Sequence, residues 1–118
     1  ERFPNIVYPQ YEKWNRSGRP WEVRQSLVGL FYYAQGREKQ PSFSKAMRMI
    51  RGAFYHGDLY VQKGVGWALR ECYNVYPSRT YAFLKERARD LSSTAWQAAT
   101  EKLTRQEKVD LKHLRKKL

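Results

Sequence analysis

Acidic residues are scarce in this sequence. Its 118 residues include 11 Asp and Glu against 23 Lys and Arg, which gives a formal net charge of +12 and a pI near 10.0. An imbalance of this size on a compact domain favours an anionic polymer as the partner, either a nucleic acid or an acidic membrane surface. The alternative is a basic protein whose charge only keeps it in solution.

Cysteine and long apolar runs are also rare. The one cysteine, Cys72, has no second cysteine in the chain for a disulfide, and we expect a small buried hydrophobe rather than a reactive thiol. No run approaches the roughly 18 apolar residues of a membrane span, and no charged and then apolar leader opens the chain. We therefore predict no membrane partner and a cytoplasmic location. Because the first residue is Glu1 rather than Met, we also expect a longer parent protein.

The usual catalytic and metal-binding patterns are missing as well. His56 and His113 are the two histidines, and neither has a cysteine or an acid at metal-ligand spacing. The sequence contains no G-x-S-x-G element and no phosphate loop. We predict that the chain binds no metal and uses no cofactor.

What is present predicts a folded helical domain. Hydrophobic residues make up 42% of the chain and aromatic residues 15%, which is too much for a disordered protein. The length suffices for one core, so we predict a single domain over residues 1–118. No window alternates with period two, so no sheet is expected. Apolar spacing predicts helices over Trp21–Gln35, Phe43–Tyr55, Leu59–Tyr76 and Ser78–Arg89, a short helix from Ser92, and a last helix from Thr104.

Capping residues mark where these helices begin. The predicted N-caps are Ser42, Asp58 and Ser78, the run Ser92-Ser93-Thr94 starts the short helix, and Thr104 and Glu107 form a capping box. Short Gly, Pro or Ser breaks join the helices in pairs. The pairs follow one another at an interval of roughly 35 to 45 residues, which is the length of an α-solenoid repeat. The predicted fold is therefore all-α, an α-α superhelix of HEAT-like antiparallel helical repeats.

The helix from Leu59 combines two unlike faces. One face has the spacing of a buried stripe, which consists of Val61, Val65, Ala68, Leu69 and Cys72. The opposite face carries Tyr60, Lys63, Trp67, Arg70 and Asn74. Lys63 and Arg70 on either side of Trp67 suit a polyanion with flat rings, because cations pair with phosphates and an aromatic ring stacks on a base or a sugar. The alternative is that Trp67 packs against a neighbouring helix, since tryptophan is mostly buried.

The run from Gln62 to Glu71 resembles a family signature. It reads Q-K-G-V-G-W-A-L-R-E and resembles the Q-K-A-I-G-W-A-L-R-E sequence of the HEAT-like-repeat DNA alkylation-repair family, the alkylpurine DNA glycosylases. The W-x-x-R segment of Trp21 and Arg24 resembles that family's preceding repeat, and the resemblance covers about Trp21 to Leu103. It implies double-stranded DNA, possibly alkylated, as the partner. It also implies a DNA-binding cleft with Trp21, Arg24, Lys63, Trp67 and Arg70.

The resemblance further implies hydrolysis of the glycosidic bond of N3- or N7-alkylated purines, for which the family uses an aspartate about one repeat before the W-x-x-R segment. Only Glu1 and Glu12 are acidic before Trp21, so we assign no catalytic residue. We expect a C-terminal part of such a protein, inactive alone and active only if the parent chain supplies the aspartate. Two alternatives stay open, a non-catalytic relative that binds bent or branched DNA and a helical protein-interaction scaffold.

Overall fold

A computed structural model describes residues 10, 13–32 and 42–116, without the side chains of residues 30–32. Residues 13–16 are helical, and six helices follow in the described ranges. These helices are α1 (Pro20–Tyr32), α2 (Phe43–Ala53), α3 (Leu59–Val75), α4 (Pro77–Glu86), α5 (Ser93–Ala99) and α6 (Arg105–Lys116). The described part of the chain contains no strand, which confirms the prediction of an all-α protein.

The helices alternate between two layers. α1, α3 and α5 lie side by side, and α3 packs more extensively against these two helices than against any other. α2 packs against α1 and α3, while α4 packs against α3 and α6. Successive helices therefore fall in alternate layers, as in stacked helical repeats, and α3 is the centre of the assembly.

Most predicted helix starts are confirmed. Ser42 accepts a hydrogen bond from the Lys45 amide, Asp58 from the first amides of α3, and Ser92 from the Ala95 amide. The prediction that Ser78 caps α4 is wrong. Pro77 takes the first position of that helix, where its missing N–H costs nothing, so the cap falls on the preceding residue.

The predicted buried stripe of α3 is confirmed. All five of its side chains, Val61, Val65, Ala68, Leu69 and Cys72, are fully buried. Burial raises the pKa of the Cys72 thiol, which accepts a hydrogen bond from Thr80 at 3.3 Å. A buried thiol with a raised pKa is a poor nucleophile, so Cys72 is a core residue as predicted. The end of the predicted helix Trp21–Gln35, after Tyr32, lies outside the described residues.

The capping box at the start of α6 also ties this helix to α3. Glu107 accepts a hydrogen bond from the Thr104 amide at 2.9 Å, and its own amide donates to the Thr104 hydroxyl at 3.1 Å. The Tyr73 hydroxyl donates to the same Glu107 carboxylate at 2.7 Å. Partial burial opposes ionisation of Glu107, but these donors hold its pKa below the ordinary value. The same bond raises the pKa of Tyr73 to about 12.

This arrangement predicts an acid-sensitive contribution to stability. Because the pKa of Glu107 is lower in the folded chain, its contribution is complete above the unfolded-state pKa and is lost as pH falls through the folded-state pKa. Glu107→Gln should therefore lose less free energy of unfolding than the wild type between neutral and acid pH, measured by urea denaturation. Glu86→Gln, at an exposed carboxylate of α4, is the control. Parallel pH profiles for the wild type and Glu107→Gln would contradict the expectation.

Candidate nucleic-acid interface

The face of α3 opposite the buried stripe is only partly open. Tyr60, Lys63 and Asn74 are exposed, whereas Trp67 and Arg70 are half-buried. The sequence pattern places these five residues on one face. The structure divides this face into an open N-terminal part with Tyr60 and Lys63, a more enclosed middle with Trp67 and Arg70, and an exposed end at Asn74.

Two cations bracket an exposed aromatic ring in the open part. Tyr60 is 66% exposed, the Arg24 guanidinium carbon lies 5.6 Å from the centre of its ring, and the Lys63 amine lies 5.8 Å from the same point. Both distances are within the range of cation–π attraction. Arg24 comes from α1 and the other two residues from α3, so this cluster depends on the packing of the two helices. We call Arg24, Tyr60 and Lys63 the ring cluster.

Gly64 positions Arg24 in the ring cluster. A Cβ atom at residue 64 would lie 3.1 Å from Arg24 Cγ and 3.5 Å from Leu27 Cδ1. The absence of a side chain therefore lets the stem of Arg24 lie directly on α3, which brings its guanidinium beside Tyr60. The Arg24 Nε atom is buried there without a hydrogen-bond acceptor. The outer edge of the guanidinium is the part of Arg24 that is suited to an anionic ligand.

Trp21 adds a second exposed ring on the same side of α1. It is 68% exposed and lies one helical turn before Arg24, so the two side chains share a face. Its ring centre is 5.8 Å from that of the half-buried Trp14, with the planes tilted by 56°. This contact holds the Trp21 ring in place while leaving most of its surface accessible.

Trp67 packs against the hydrophobic core, as the alternative interpretation of its position held. A Cβ atom at Gly66 would lie 2.5 Å from the backbone oxygen of Ala95, so α5 approaches α3 very closely there. Because α1 and α5 pack against α3 from two sides, a smaller part of its outer face is exposed than in an isolated helix. Trp67 keeps a partly exposed surface on that face, and its contact with DNA stays a prediction.

Arg70 is held by two carboxylates. Its guanidinium lies 3.0 Å from Glu101 and 3.5 Å from Glu71, and its side chain is 23% exposed. Glu101 follows 31 residues later and belongs to the turn after α5. A phosphate can pair with Arg70 only by replacing these carboxylates. Arg70 is therefore less available to DNA than Lys63, although the sequence pattern predicted both as DNA contacts.

Gln62, the first residue of the family-like run, has a structural role. It is buried, and its amide nitrogen donates to the backbone oxygens of Phe54 and His56 at 3.0 and 2.7 Å. Its amide oxygen accepts from the Ser92 hydroxyl at 2.7 Å. Gln62 therefore joins the loop before α3 to the start of α5. This network fixes the N-terminal end of α3, where Tyr60 and Lys63 lie.

Tyr60 was not among the residues predicted for the cleft, although helical spacing places it on the same face of α3 as Lys63. The available signal was its position three residues before Lys63, which brings the two side chains together on a helix. Its pairing with Arg24 crosses from one helix to another and has no local sequence signal.

Within the described ranges, no three His, Cys, Asp or Glu side chains form a group suited to a metal ion. His56 lies near Gly18 and Asp58, and His113 lies on α6, so the two histidines are apart. None of the described helices has both the length and the apolar character needed to cross a bilayer.

Comparisons with curated proteins and with solved structures return no significant match. The model of one protein family, described as DNA alkylation repair enzyme, matches residues 5–103. This match contains the whole segment in which the sequence resembles that family and extends it toward Glu1. Since it spans most of the 118 residues, the chain belongs to the DNA alkylation repair enzyme family.

Proposed function

We propose that this chain is the DNA-binding helical-repeat part of an alkylpurine DNA glycosylase, and that it binds double-stranded DNA through the ring cluster and the adjoining Trp21, Trp67 and Arg70. The observation that carries the proposal is the exposed Tyr60 ring between Arg24 and Lys63. The family supplies the role in DNA repair. The geometry of the ring cluster supports contact with the nucleic acid.

The ring cluster has the two chemical properties that a DNA strand requires. Lys63 is exposed and offers three donors to a phosphate oxygen, and the Arg24 guanidinium offers a planar donor edge. Tyr60 and Trp21 present flat apolar surfaces beside these cations. Stacking of such rings on unstacked bases contributes about 1 to 3 kcal/mol per base, largely independent of sequence. The site therefore suits a DNA strand that offers phosphates together with an accessible base.

Base removal requires a carboxylate that is free to act, and the described residues of this face do not offer one. Departure of an alkylated purine creates positive charge at the sugar, which a nearby carboxylate stabilises. Glu71 and Glu101 are the carboxylates beside the middle of α3, and both pair with Arg70. We therefore propose that hydrolysis of N3- or N7-alkylated purines depends on an aspartate supplied by the parent protein. The same engagement of Glu71 and Glu101 supports the second candidate, a non-catalytic relative that binds bent or branched DNA.

The salt dependence of DNA binding tests the proposed face. Each lost phosphate contact lowers the slope of log K against log salt by about one unit, because fewer counterions are released. Lys63→Ala should show this full change, measured by fluorescence anisotropy with an undamaged duplex. Arg70→Ala should show a smaller change, since Glu101 and Glu71 already neutralise the guanidinium.

Lys85→Ala is the matched control for this measurement. Lys85 is an exposed cation on α4, with its amine 5.0 Å from the ring centre of Tyr81, and it carries the same charge as Lys63. If Lys63→Ala and Lys85→Ala reduce the slope equally, the binding is a general effect of net charge and the ring cluster is not the DNA site. Absence of salt-dependent binding to the duplex would contradict phosphate contact and would favour the protein-interaction scaffold.

A further inference from the structure

The half-buried side chain of His56 joins the starts of α1 and α3. Its Nδ1 atom accepts a hydrogen bond from the Asp58 amide at 3.1 Å, and its Nε2 atom donates to the backbone oxygen of Gly18 at 3.1 Å. Gly18 lies just before α1, which begins at Pro20, and Asp58 is the N-cap of α3. We call Gly18, His56 and Asp58 the histidine bridge.

Both partners of the imidazole require its neutral form. A backbone oxygen only accepts and a backbone amide only donates, so Nε2 must carry the proton and Nδ1 must lack one. The charged imidazolium carries a proton on both nitrogens and has no acceptor for the Asp58 amide. The histidine bridge is therefore complete in only one of the two charge states of His56.

The histidine bridge lies at the end of the two helices that form the ring cluster. Arg24 is on the first two turns of α1, and Tyr60 and Lys63 are on the first two turns of α3. The approach of the Arg24 guanidinium carbon to within 5.6 Å of the Tyr60 ring centre crosses from one helix to the other. It therefore depends on the relative position of the two helix starts that the imidazole joins.

The groups around His56 favour opening of the histidine bridge in acid. The charged or titratable side chains on the surrounding elements are Arg19, Glu22, Tyr55, Asp58, Arg87 and Asp90. Both arginines already pair with carboxylates of this group. Asp90 lines the same pocket as His56, and Asp58 is two residues away in the same loop. These carboxylates offer an imidazolium partners of opposite charge in place of the neutral ring's hydrogen bonds.

We propose that neutral His56 is a positioning residue of the ring cluster and that its protonation lowers the affinity for DNA. Histidine ordinarily gains its charge between about pH 8 and pH 5. Protonation removes the acceptor of the Asp58 amide, and the start of α1 then loses its fixed position relative to Tyr60. The proposal rests on the proposed function and adds regulation of the same site by pH.

The pH dependence of duplex binding tests the proposal. Fluorescence anisotropy uses the full chain and an undamaged duplex at constant salt. The affinity should fall about threefold between about pH 8 and about pH 5.5, as expected for the loss of one hydrogen bond. Without a role for the histidine bridge, the affinity should rise over this range, because protonation of the two histidines adds positive charge. An affinity that rises or stays constant in acid overturns the proposal.

Two glutamine variants assign the effect to one histidine. His56→Gln keeps a donor for the Gly18 oxygen but cannot titrate, so its affinity should already be reduced at about pH 8 and should not fall further in acid. His113→Gln removes the other histidine, which is exposed on α6, and should leave the fall unchanged. A fall of equal size in His56→Gln overturns the proposal, because groups other than His56 then cause it.

NMR spectroscopy follows the histidine bridge and the ring cluster without DNA. In the wild type, the Asp58 amide and the Tyr60 ring resonances should shift together between about pH 8 and about pH 5.5, and neither should shift in His56→Gln. A shift of the Asp58 amide alone overturns the proposal, because the ring cluster then does not depend on His56. Absence of duplex binding at every pH overturns the proposed function, while these shifts still show whether His56 positions the ring cluster.

Discussion

Gly66→Ala is expected to destabilise the fold strongly. A Cβ atom at this position would lie 2.5 Å from the Ala95 backbone oxygen, 2.9 Å from its Cα and 3.1 Å from its carbonyl carbon. All three atoms belong to the backbone of α5, so no side-chain rotation relieves the clash and the two helices must separate. Overpacking of this kind costs about 1 to 3 kcal/mol and sometimes more. The higher helix propensity of Ala offsets only about 1 kcal/mol of this cost. The free energy of unfolding, measured by chemical denaturation, should therefore fall.

Gly64→Ala is the matched control, two residues away on the same helix. Its Cβ atom would meet Arg24 Cγ at 3.1 Å and Leu27 Cδ1 at 3.5 Å, both of which are side-chain atoms that can move. The gain in helix propensity of about 1 kcal/mol should offset most of the cost. The family signature quoted above has Ala at this place and Gly at the place of Gly66, in agreement with this difference. Equal stability of the two variants would show that α3 and α5 do not approach as closely as described.

Local features of the fold were predictable from the sequence. The stripe from Val61 to Cys72 follows helical spacing, and the Ser42 and Asp58 caps depend on residues within the first turn of their own helices. Such signals lie within a few residues and do not require knowledge of the partner helix. The failure at Ser78 is local too, because Pro77 competes for the start of α4 and its geometry prevails.

The site was less predictable because its contacts join distant parts of the chain. The charge of Arg70 was predictable, but its neutralisation by Glu101 arises from the packing of α5 against α3. The ring cluster likewise depends on the packing of α1 against α3, where Gly64 leaves room for the Arg24 side chain. Periodicity assigns residues to a face, whereas the accessibility of that face depends on how closely its neighbours pack.

The glycines of α3 connect fold and proposed function. Gly64 leaves room for α1 with Arg24, which brings the two cations of the ring cluster together, and Gly66 leaves room for α5 with Ala95 on another side of α3. Loss of the α3–α5 contact should also disturb the hydrogen bond between Gln62 and Ser92, which holds the end of α3 near Tyr60. A substitution in the core can therefore weaken the proposed DNA binding without removing a side chain of the DNA-facing surface.

Trp67→Ala should weaken both stability and DNA binding. Trp67 is half-buried and packs against the core, so its truncation should cost a part of the roughly 3 to 5 kcal/mol of a fully buried tryptophan. Its partly exposed surface lies on the same face as Tyr60 and Lys63, and loss of ring contact with DNA should cost a further 1 to 3 kcal/mol, approximately, in binding. A thermal melt and a binding isotherm, both on the same preparation, measure the two effects separately.

Trp96→Ala is the control that separates packing from contact. Trp96 on α5 is also half-buried and packs against the core, but its ring is covered by Arg115, whose guanidinium carbon lies 4.8 Å from the ring centre. Its truncation should lower the melting temperature while the folded fraction keeps its affinity for the duplex. If Trp67→Ala behaves in the same way, Trp67 is a core residue only and the DNA contact ends at the ring cluster. If only Trp67→Ala lowers the affinity, the Trp67 ring contributes to both stability and binding, because its buried part stabilises α3 and its exposed part contacts the DNA.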